Sequence, residues 1–251
     1  MASILPEVAP DATLDTALDA APSPHTPMLM NALPKFLQTC VLCGIDTADA
    51  VCPGCNGDLP HLGEGCPQCA EETPRGETCG RCLQSPPAFA QAYALFAYDF
   101  PIDQMVHQLK YGHQLIIAHW FGQQLARRFG SLQADVIIPL PLHPDKLRER
   151  GFNQALEIAR PLASTLGLKP LVDICLRTRA THTQTDLPVK ERPANVRNAF
   201  YCTTRLDGQH VLLVDDVMTT GATLNECAQS LKQQGASQVT AIVVGRTLKH
   251  G

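Results

Sequence analysis

Residues 210–247 have the sequence HVLLVDDVMTTGATLNECAQSLKQQGASQVTAIVVGRT. The apolar run at 211–214 is typical of a strand buried in a parallel sheet, and residues 239–244 predict a second such strand. Between them, four apolar residues recur at helical spacing, and Gly235 ends that helix. A strand, a helix and a strand in this order form a right-handed crossover. We therefore predict an α/β fold whose parallel sheet is flanked by helices.

The loop after the first strand contains the candidate binding residues, because open α/β sheets bind ligands outside the carboxyl ends of their strands. Asp215 and Asp216 are expected to leave the strand as adjacent carboxylates that accept hydrogen bonds from vicinal ribose hydroxyls or coordinate Mg²⁺. Threonines and a glycine at 219–223 then surround the helix start, where free amides and the helix dipole attract a phosphate. An ordinary polar turn with an N-cap would account for two or three of these residues, but not for all of them.

The charge of the chain is unevenly distributed. Residues 1–39 sum to −3 and residues 40–85 to −5, so the remainder carries +4 of the total of −4. Residues 143–205 hold eleven Lys or Arg against six Asp or Glu, which suits a polyanionic ligand such as phosphate or nucleic acid. Apolar runs stay below the ~18 residues that a membrane-spanning helix needs, so we predict no membrane insertion.

Three regions are predicted along the 251 residues. Residues 1–34 are rich in Ala, Pro and Asp and have no secretory signal pattern, so we expect a disordered tail and a cytoplasmic protein. One hypothesis is that translation begins at Met28 or Met30. Residues 35–86 are predicted to form a cysteine-rich module, and residues 87–251 the α/β domain.

Eight of the eleven cysteines form Cys-x-x-Cys pairs within one 43-residue window. The pairs are Cys40/Cys43, Cys52/Cys55, Cys66/Cys69 and Cys79/Cys82. Two such pairs complete a tetrahedral shell around Zn²⁺, so the eight thiolates predict two closed, structural zinc sites in short hairpins with little helix. Disulfides and iron–sulfur clusters are the alternatives, and disulfides are disfavoured without a secretion signal.

The spacing of the pairs allows both sequential and interleaved ligand sets. We predict sequential sets, 40–55 and 66–82. The module is acidic, which does not favour DNA phosphates as its ligand. Docking on its own C-terminal domain or on a protein partner is at least as well supported as contact with nucleic acid.

Another buried strand is predicted earlier in the chain, at 135–138, and it is followed by a loop rich in Pro and Arg. Arg148 and Arg150 in that loop are candidates for gripping a second polyanion, since guanidinium groups match phosphate oxygens. A solvated run of surface charge is the alternative interpretation. Residues 177–200 have little apolar periodicity and predict either a long loop or a short hairpin.

The segment VLLVDDVMTTGAT closely resembles the signature of type I phosphoribosyltransferases that binds 5-phosphoribosyl-1-pyrophosphate (PRPP). The resemblance implies that Asp215 and Asp216, the predicted catalytic pair, hold the 2′ and 3′ hydroxyls and that the following loop holds the 5′-phosphate. The predicted PRPP-binding residues are Asp215, Asp216, Val217, Met218, Thr219, Thr220, Gly221, Ala222 and Thr223.

Together with the cysteine pairs, the Leu109-Lys110-Tyr111 step and the PLPLHP and RERGFNQA segments, this loop resembles the ComF family of competence protein F and GntX-like proteins. The resemblance covers roughly residues 40–247 and implies a type I phosphoribosyltransferase-like domain behind a double zinc ribbon. It also implies that Mg²⁺ accompanies PRPP and that one group of residues faces the pyrophosphate. That group is Arg150, Asn153, Gln184 and Arg192, beside the Arg148 predicted above from the loop itself.

Two functions are compatible with this resemblance. The first is transfer of the phosphoribosyl group to an unknown acceptor with release of pyrophosphate. The second is a non-catalytic adaptor that senses PRPP and binds single-stranded DNA, with protein partners from a DNA-uptake system, in natural transformation.

Overall fold

The computed structural model describes residues 38–179 and 196–248. The described residues belong to one compact unit. Its cysteine-rich part has a two-stranded antiparallel hairpin, two five-residue helices and a short 3-10 turn, as the density of Gly, Pro and Cys predicts. These elements are β1 (Gln38–Thr39), β2 (Asp46–Thr47), α1 (Pro53–Gly57), the turn (Pro74–Gly76) and α2 (Gly80–Gln84).

The rest of the chain alternates strands and helices around a parallel sheet. The elements are β3 (Gln91–Ala97), α3 (Ile102–Gly112), α4 (Leu115–Phe129), β4 (Val136–Pro139), α5 (Pro144–Arg150), α6 (Gln154–Leu166), β5 (Cys175–Arg177), β6 (Phe200–Cys202), β7 (His210–Met218), α7 (Ala222–Gln233) and β8 (Gln238–Arg246). Four strands pair in the order β3-β8-β7-β4, all parallel, so the predicted fold class is confirmed. In the part of the chain that the structure describes, no helix is both long and apolar enough to cross a bilayer.

Both faces of the sheet are covered, which explains why β7 and β8 are continuously apolar. Alternate residues of a strand point to opposite faces. Leu212 and Val214 pack with α3, α4 and α6, whereas Val211 and Leu213 pack with α7 and with β5 and β6. Each fully buried Leu or Val contributes about 1.5–3 kcal/mol relative to an exposed one. The buried residues of α7 are the four that the periodicity predicts, Leu224, Cys227, Ala228 and Leu231.

The carboxyl end of β7 extends beyond its neighbour β4. The last pair between these strands is Pro139 with Val214, while on the other side β7 stays paired with β8 as far as Met218 and Arg246. Residues 215–218 therefore have a strand on one side and the β4–α5 connection on the other. Such a crevice at the carboxyl ends of parallel strands is where ligands bind in open α/β sheets.

The cysteine-rich part docks on the edge strand β3. The backbone amides of Leu62 and Ala97 donate to Leu95 and Pro60 at 3.0 and 2.8 Å, and Ala92 donates to Pro67 at 3.1 Å. These bonds use backbone groups that an edge strand would otherwise expose. Docking on the chain's own C-terminal domain was one of the expected outcomes. The boundary near residue 86 stays a prediction, as does the tail at 1–34, which lies outside the described residues.

The segment between β4 and α6 differs from the prediction. We expected a loop up to about Phe152, but residues 144–150 form α5. Pro144 begins this helix, where its missing amide costs nothing, and His143 accepts a hydrogen bond from Asp145 as its cap. For residues 177–200 either a long loop or a short hairpin was expected. The flanking strands β5 and β6 pair antiparallel, and residues 180–195 between them lie outside the described residues, so both alternatives stay open.

Candidate functional site

Asp215 and Asp216 lie inside β7 and are only 6% and 3% exposed. The expectation that they leave the strand was wrong, because pairing with β8 continues past them to Met218. The amide of Asp216 donates to Asp215 Oδ1 at 2.8 Å, and the amide of Val217 donates to Asp216 Oδ1 at 2.9 Å. Each carboxyl group thus keeps one oxygen engaged by the backbone, which fixes its orientation at the crevice.

Lys110, near the end of α3, faces these carboxyl groups, with its Nζ 2.5 Å from Asp216 Oδ2. Burial alone would raise the pKa of Asp216, but the charge and hydrogen bond of Lys110 outweigh it and hold that pKa below its usual value. Burial, followed by the charge of Asp216, raises the pKa of Asp215 well above its usual value. Asp216 therefore carries the negative charge of the pair, and Asp215 holds a proton more readily.

Two arginines add positive potential around the pair. Arg150, at the end of α5, acts with Lys110 to lower the pKa of Asp216, and its guanidinium lies 5.8 Å from the ring centroid of Tyr111. Burial lowers the pKa of Arg177, and the charge of Asp215 opposes this effect. The crevice therefore combines two carboxyl groups with cations from α3, α5 and β5, an arrangement that suits a ligand with both hydroxyl and phosphate groups.

The loop from Thr219 to the start of α7 is half-buried and remains accessible. Gly221 immediately precedes α7 with a φ of +81°, a conformation that favours glycine. Thr220 Oγ1 accepts a hydrogen bond from the amide of Ala222 at 3.3 Å. The positive end of the twelve-residue helix thus adjoins the carboxyl pair, which is favourable for an anion.

The eight cysteines of the four pairs form two quartets, and the predicted sequential sets are confirmed. Within each quartet the four sulfurs lie within 4.8 Å of one another. The sulfurs of Cys43 and Cys52 are 3.7 Å apart, and those of Cys69 and Cys79 are 3.6 Å apart. A tetrahedral site with a Zn–S distance of about 2.3 Å requires about 3.8 Å between sulfurs. The quartets therefore fit a double zinc ribbon.

Each quartet contains one cysteine whose surroundings favour the thiolate, whereas the pKa of Cys55 in the first quartet and of Cys79 and Cys82 in the second is raised, mainly by neighbouring thiols for Cys55 and by burial for the other two. Burial raises the pKa of Cys40, but hydrogen bonds from the backbone of Cys52, Cys43 and Leu42 outweigh it and bring that pKa to about 6. For Cys69, burial is outweighed by the backbone of Glu71 and the side chain of Arg81, and the pKa is about 7. Ionised sulfur is the form that binds zinc.

Comparison with known proteins identifies the family. Residues 153–248 match the family described as phosphoribosyl transferase domain. The DNA utilization protein YhgH of Escherichia coli O6:H1 is 38% identical over 191 residues, which cover 73% of this chain and 84% of YhgH. Competence protein F of Haemophilus influenzae is 30% identical over 202 residues, covering 76% of this chain and 88% of that protein. The chain belongs to the ComF family. Competence protein ComFC of Bacillus subtilis is 24% identical over 210 residues, which cover 79% of this chain and 85% of ComFC.

The residues predicted to face the pyrophosphate of PRPP do not all lie beside the carboxyl pair in this ComF structure. Arg150 lies near the carboxyl pair, whereas Arg148 is exposed and pairs with Asp145 within α5. Asn153 caps α6 by accepting from the amide of Ala155 at 2.9 Å, and its Nδ2 donates to Leu140 O at 3.1 Å. Gln184 and Arg192 lie outside the described residues.

Sequence reasoning missed three cations of this ComF chain. Lys110 was part of the family resemblance but had no assigned role, and Arg177 and Arg246 were not singled out. Arg246 is 1% exposed and donates to the carbonyl oxygens of Met218, at the end of β7, and of Thr219, in the loop that follows. A polar residue ending an otherwise apolar strand was the available signal for Arg246. Nothing local in the sequence pairs Lys110 with Asp216, which lies 106 positions later.

Proposed function

We propose that this ComF-family protein binds PRPP at the carboxyl end of β7. The observation that carries the proposal is the adjacency of Asp215 and Asp216 to the amide-rich start of α7, with Lys110 and Arg150 facing the carboxyl groups. A ribose 5-phosphate unit needs acceptors for two hydroxyls next to a phosphate site, and this arrangement offers both. The family match over residues 153–248 supports the same ligand.

In this proposal the half-buried loop at 219–223 binds the 5′-phosphate. Asp216 accepts a hydrogen bond from one ribose hydroxyl, and Asp215, whose raised pKa favours the protonated form, can accept or donate to the other. Arg150, with Arg148 at the rim of the crevice, attracts the pyrophosphate. Gln184 and Arg192 remain proposed for this side on the family resemblance, while the capping contacts of Asn153 give it a structural role instead.

Mg²⁺ is expected to accompany PRPP, and the fit of the residues is favourable because carboxylate oxygens are the ligands that it prefers. Asp216 and Asp215, the latter after giving up its proton, are the groups that would hold it, and it would supply additional charge neutralisation on the pyrophosphate. If transfer occurs, the bond between the anomeric carbon and the pyrophosphate oxygen breaks, and pyrophosphate leaves with the electron pair. The acceptor then forms the new bond to that carbon. The residues of the crevice contribute mainly positioning and electrostatic stabilisation.

The test compares PRPP with its parts. Calorimetry with Mg²⁺ should show binding of PRPP, weaker binding of ribose 5-phosphate and weaker binding of pyrophosphate. Asp215→Asn with Asp216→Asn should abolish the PRPP signal, because both hydroxyl acceptors are altered while the buried shapes are kept. Asp207→Asn, which affects an exposed carboxylate paired with Arg205, is the control. Binding by the double variant equal to that of the wild type would refute the proposal.

Release of pyrophosphate distinguishes a transferase from a sensor. PRPP is incubated with the protein, Mg²⁺ and candidate nucleobases, and free pyrophosphate is measured. Acceptor-dependent release supports the transferase. Binding of PRPP without release across the acceptors supports a non-catalytic role.

The alternative that we propose is an adaptor that binds single-stranded DNA, alone or with protein partners of a DNA-uptake system. Two observations favour it. Relatives are named DNA utilization protein and competence protein. A groove of about 740 Å³ between α4 and α6 is lined by Arg127, Arg160 and His119, which suits a phosphate backbone. A Lys- and Arg-dependent interaction should weaken steeply with salt. Arg127→Gln with Arg160→Gln should weaken DNA binding, and Arg75→Gln, an exposed arginine of the zinc ribbon, is the control.

Eight cysteines arranged as metal-binding quartets, rather than as disulfides, are typical of reducing compartments. We therefore also propose a cytoplasmic location. Fractionation of cells that produce the protein, followed by detection with an antibody, checks it. Recovery in an oxidising compartment would contradict it.

A further inference from the structure

Arg246, the last residue of β8, lies between the proposed phosphate loop and the second cysteine quartet. Its guanidinium donates to the carbonyl oxygens of Met218 at 3.2 Å and of Thr219. On the other side it donates to the carbonyl oxygen of Cys69 at 2.9 Å and to Glu71 Oε2 at 2.5 Å. At 1% exposure, this cation is held by partners that come from two regions about 150 positions apart.

The contacts with Met218 and Thr219 orient the loop. In a planar trans peptide the carbonyl oxygen and the following amide hydrogen point in opposite directions. Because Arg246 draws the carbonyls of Met218 and Thr219 toward itself, the amides of Thr219 and Thr220 point away from it. Those amides belong to the stretch that the proposed 5′-phosphate contacts. Arg246 therefore fixes the direction of phosphate-binding donors without touching the phosphate.

The contacts with Cys69 and Glu71 depend on the shape of the second quartet. The amide of Cys66 donates to the carbonyl of Glu71 at 2.7 Å, and that of Ala70 donates to Cys66 at 2.8 Å. Both Cys66 and Cys69 are members of this quartet. A bound metal ion that holds their sulfurs also fixes the turn that carries the two acceptors of Arg246.

The first quartet has other neighbours. Cys40 is packed in the same core cluster as buried residues of α3 and α4, such as Met105 and Trp120. The second quartet instead faces a cavity of about 420 Å³ that is also lined by Thr220, Gly221 and Ala222. The two metal sites therefore have different relations to the phosphate loop.

We propose that Arg246 is a positioning residue through which a zinc ion at the second quartet, Cys66–Cys82, strengthens PRPP binding. This inference rests on the proposed PRPP site. Since coupling between two ligands is reciprocal, bound PRPP must stabilise zinc at the second quartet by the same factor. Zinc at the first quartet lacks this dependence.

The test uses a matched pair of substitutions. Glu71→Gln weakens the buried ion pair with Arg246, and Glu77→Gln makes the same change at an exposed carboxylate that pairs with Arg75 at 3.0 Å. PRPP affinity is measured by calorimetry on zinc-loaded full-length protein with Mg²⁺. We expect about tenfold weaker binding for Glu71→Gln, within the usual range of coupling between sites, and no change for Glu77→Gln.

The second readout is the equilibrium partition of zinc between the protein and a chromogenic chelator, with and without PRPP. In the wild type and in Glu77→Gln, PRPP should raise the zinc affinity of one of the two sites. In Glu71→Gln this increase should fall by the same factor as the PRPP affinity. Arg246→Lys, which keeps the charge but cannot reach all these acceptors, should lose both effects if it folds. Glu71→Gln keeps the test independent of that outcome.

The possible results separate the two proposals. If the wild type shows no PRPP binding, the proposed site fails and the coupling fails with it. If the wild type binds and Glu71→Gln binds equally well, or if PRPP raises the zinc affinity of neither site, the coupling alone is overturned.

Discussion

Replacing Lys110 with methionine should destabilise the protein at neutral pH, because it leaves the ionised Asp216 buried without its partner. Asp216 is 3% exposed, and the side chain of Lys110 is 22% exposed. Loss of one partner of a fully buried pair costs about 3–5 kcal/mol. Because Lys110 keeps some contact with solvent and Arg150 remains nearby, we expect about 2–3 kcal/mol for Lys110→Met at pH 7.

The pH dependence follows from the direction of the pKa shift. In the wild type the pKa of Asp216 is lowered below the value of about 3.9 for an unfolded chain, so its stabilising contribution is present above that pH and is lost as the pH falls through the folded value. Without Lys110, burial raises this pKa, and the carboxyl group destabilises the fold increasingly as the pH rises. The difference in stability between wild type and variant should therefore shrink from pH 7 toward pH ~4.

Urea unfolding followed by circular dichroism at pH 7, 6 and 5 measures the effect. The control is Lys146→Met, which removes a half-exposed lysine from an ion pair with Glu149 at 2.8 Å and should leave the unfolding midpoint nearly unchanged. Adding Asp216→Asn to Lys110→Met should recover most of the loss, since the carboxylate left unpaired by the loss of Lys110 is then removed. Equal stabilities of Lys110→Met and Lys146→Met at pH 7, or no recovery in the double variant, would refute the reasoning.

Three further outcomes are expected. Gly221→Ala should lose about 1–2 kcal/mol of stability and several-fold PRPP affinity, because φ is +81° and a new Cβ would lie 3.4 Å from the sulfur of Met218. An unchanged midpoint of urea unfolding together with an unchanged PRPP affinity by calorimetry would contradict this. Asn153→Ala should cost about 1 kcal/mol of stability through loss of the α6 cap but leave PRPP affinity unchanged. A loss of PRPP affinity larger than the loss of stability would instead indicate that Asn153 contacts the pyrophosphate. Elemental analysis of protein purified without added metal should give two zinc ions per chain, and a strong chelator should abolish the cooperative unfolding of the ribbon; one ion, or iron in place of zinc, would contradict the assignment.

The parts of the site that are local in sequence were predictable. The strand, the acidic pair and the threonine-rich helix start lie within residues 210–223, so their order and spacing predict a phosphate-binding turn. The quartets were predictable for a similar reason, because each Cys-x-x-Cys pair directs two sulfurs to one point. Sequential pairing needed the structure, since spacing alone allowed either set.

The sequence by itself determined the α/β class, the loop that defines the candidate site and the metal-binding cysteines, because these features depend on periodicity and on neighbours a few positions apart. The tertiary structure decided that β7 continues through Asp215 and Asp216, that Lys110 neutralises the pair, and that Arg246 joins the loop to the second quartet. The first feature depends on the register between β7 and β8. The other two depend on contacts between segments more than a hundred positions apart, and the charge state of a buried carboxyl group is set by such neighbours rather than by its local sequence.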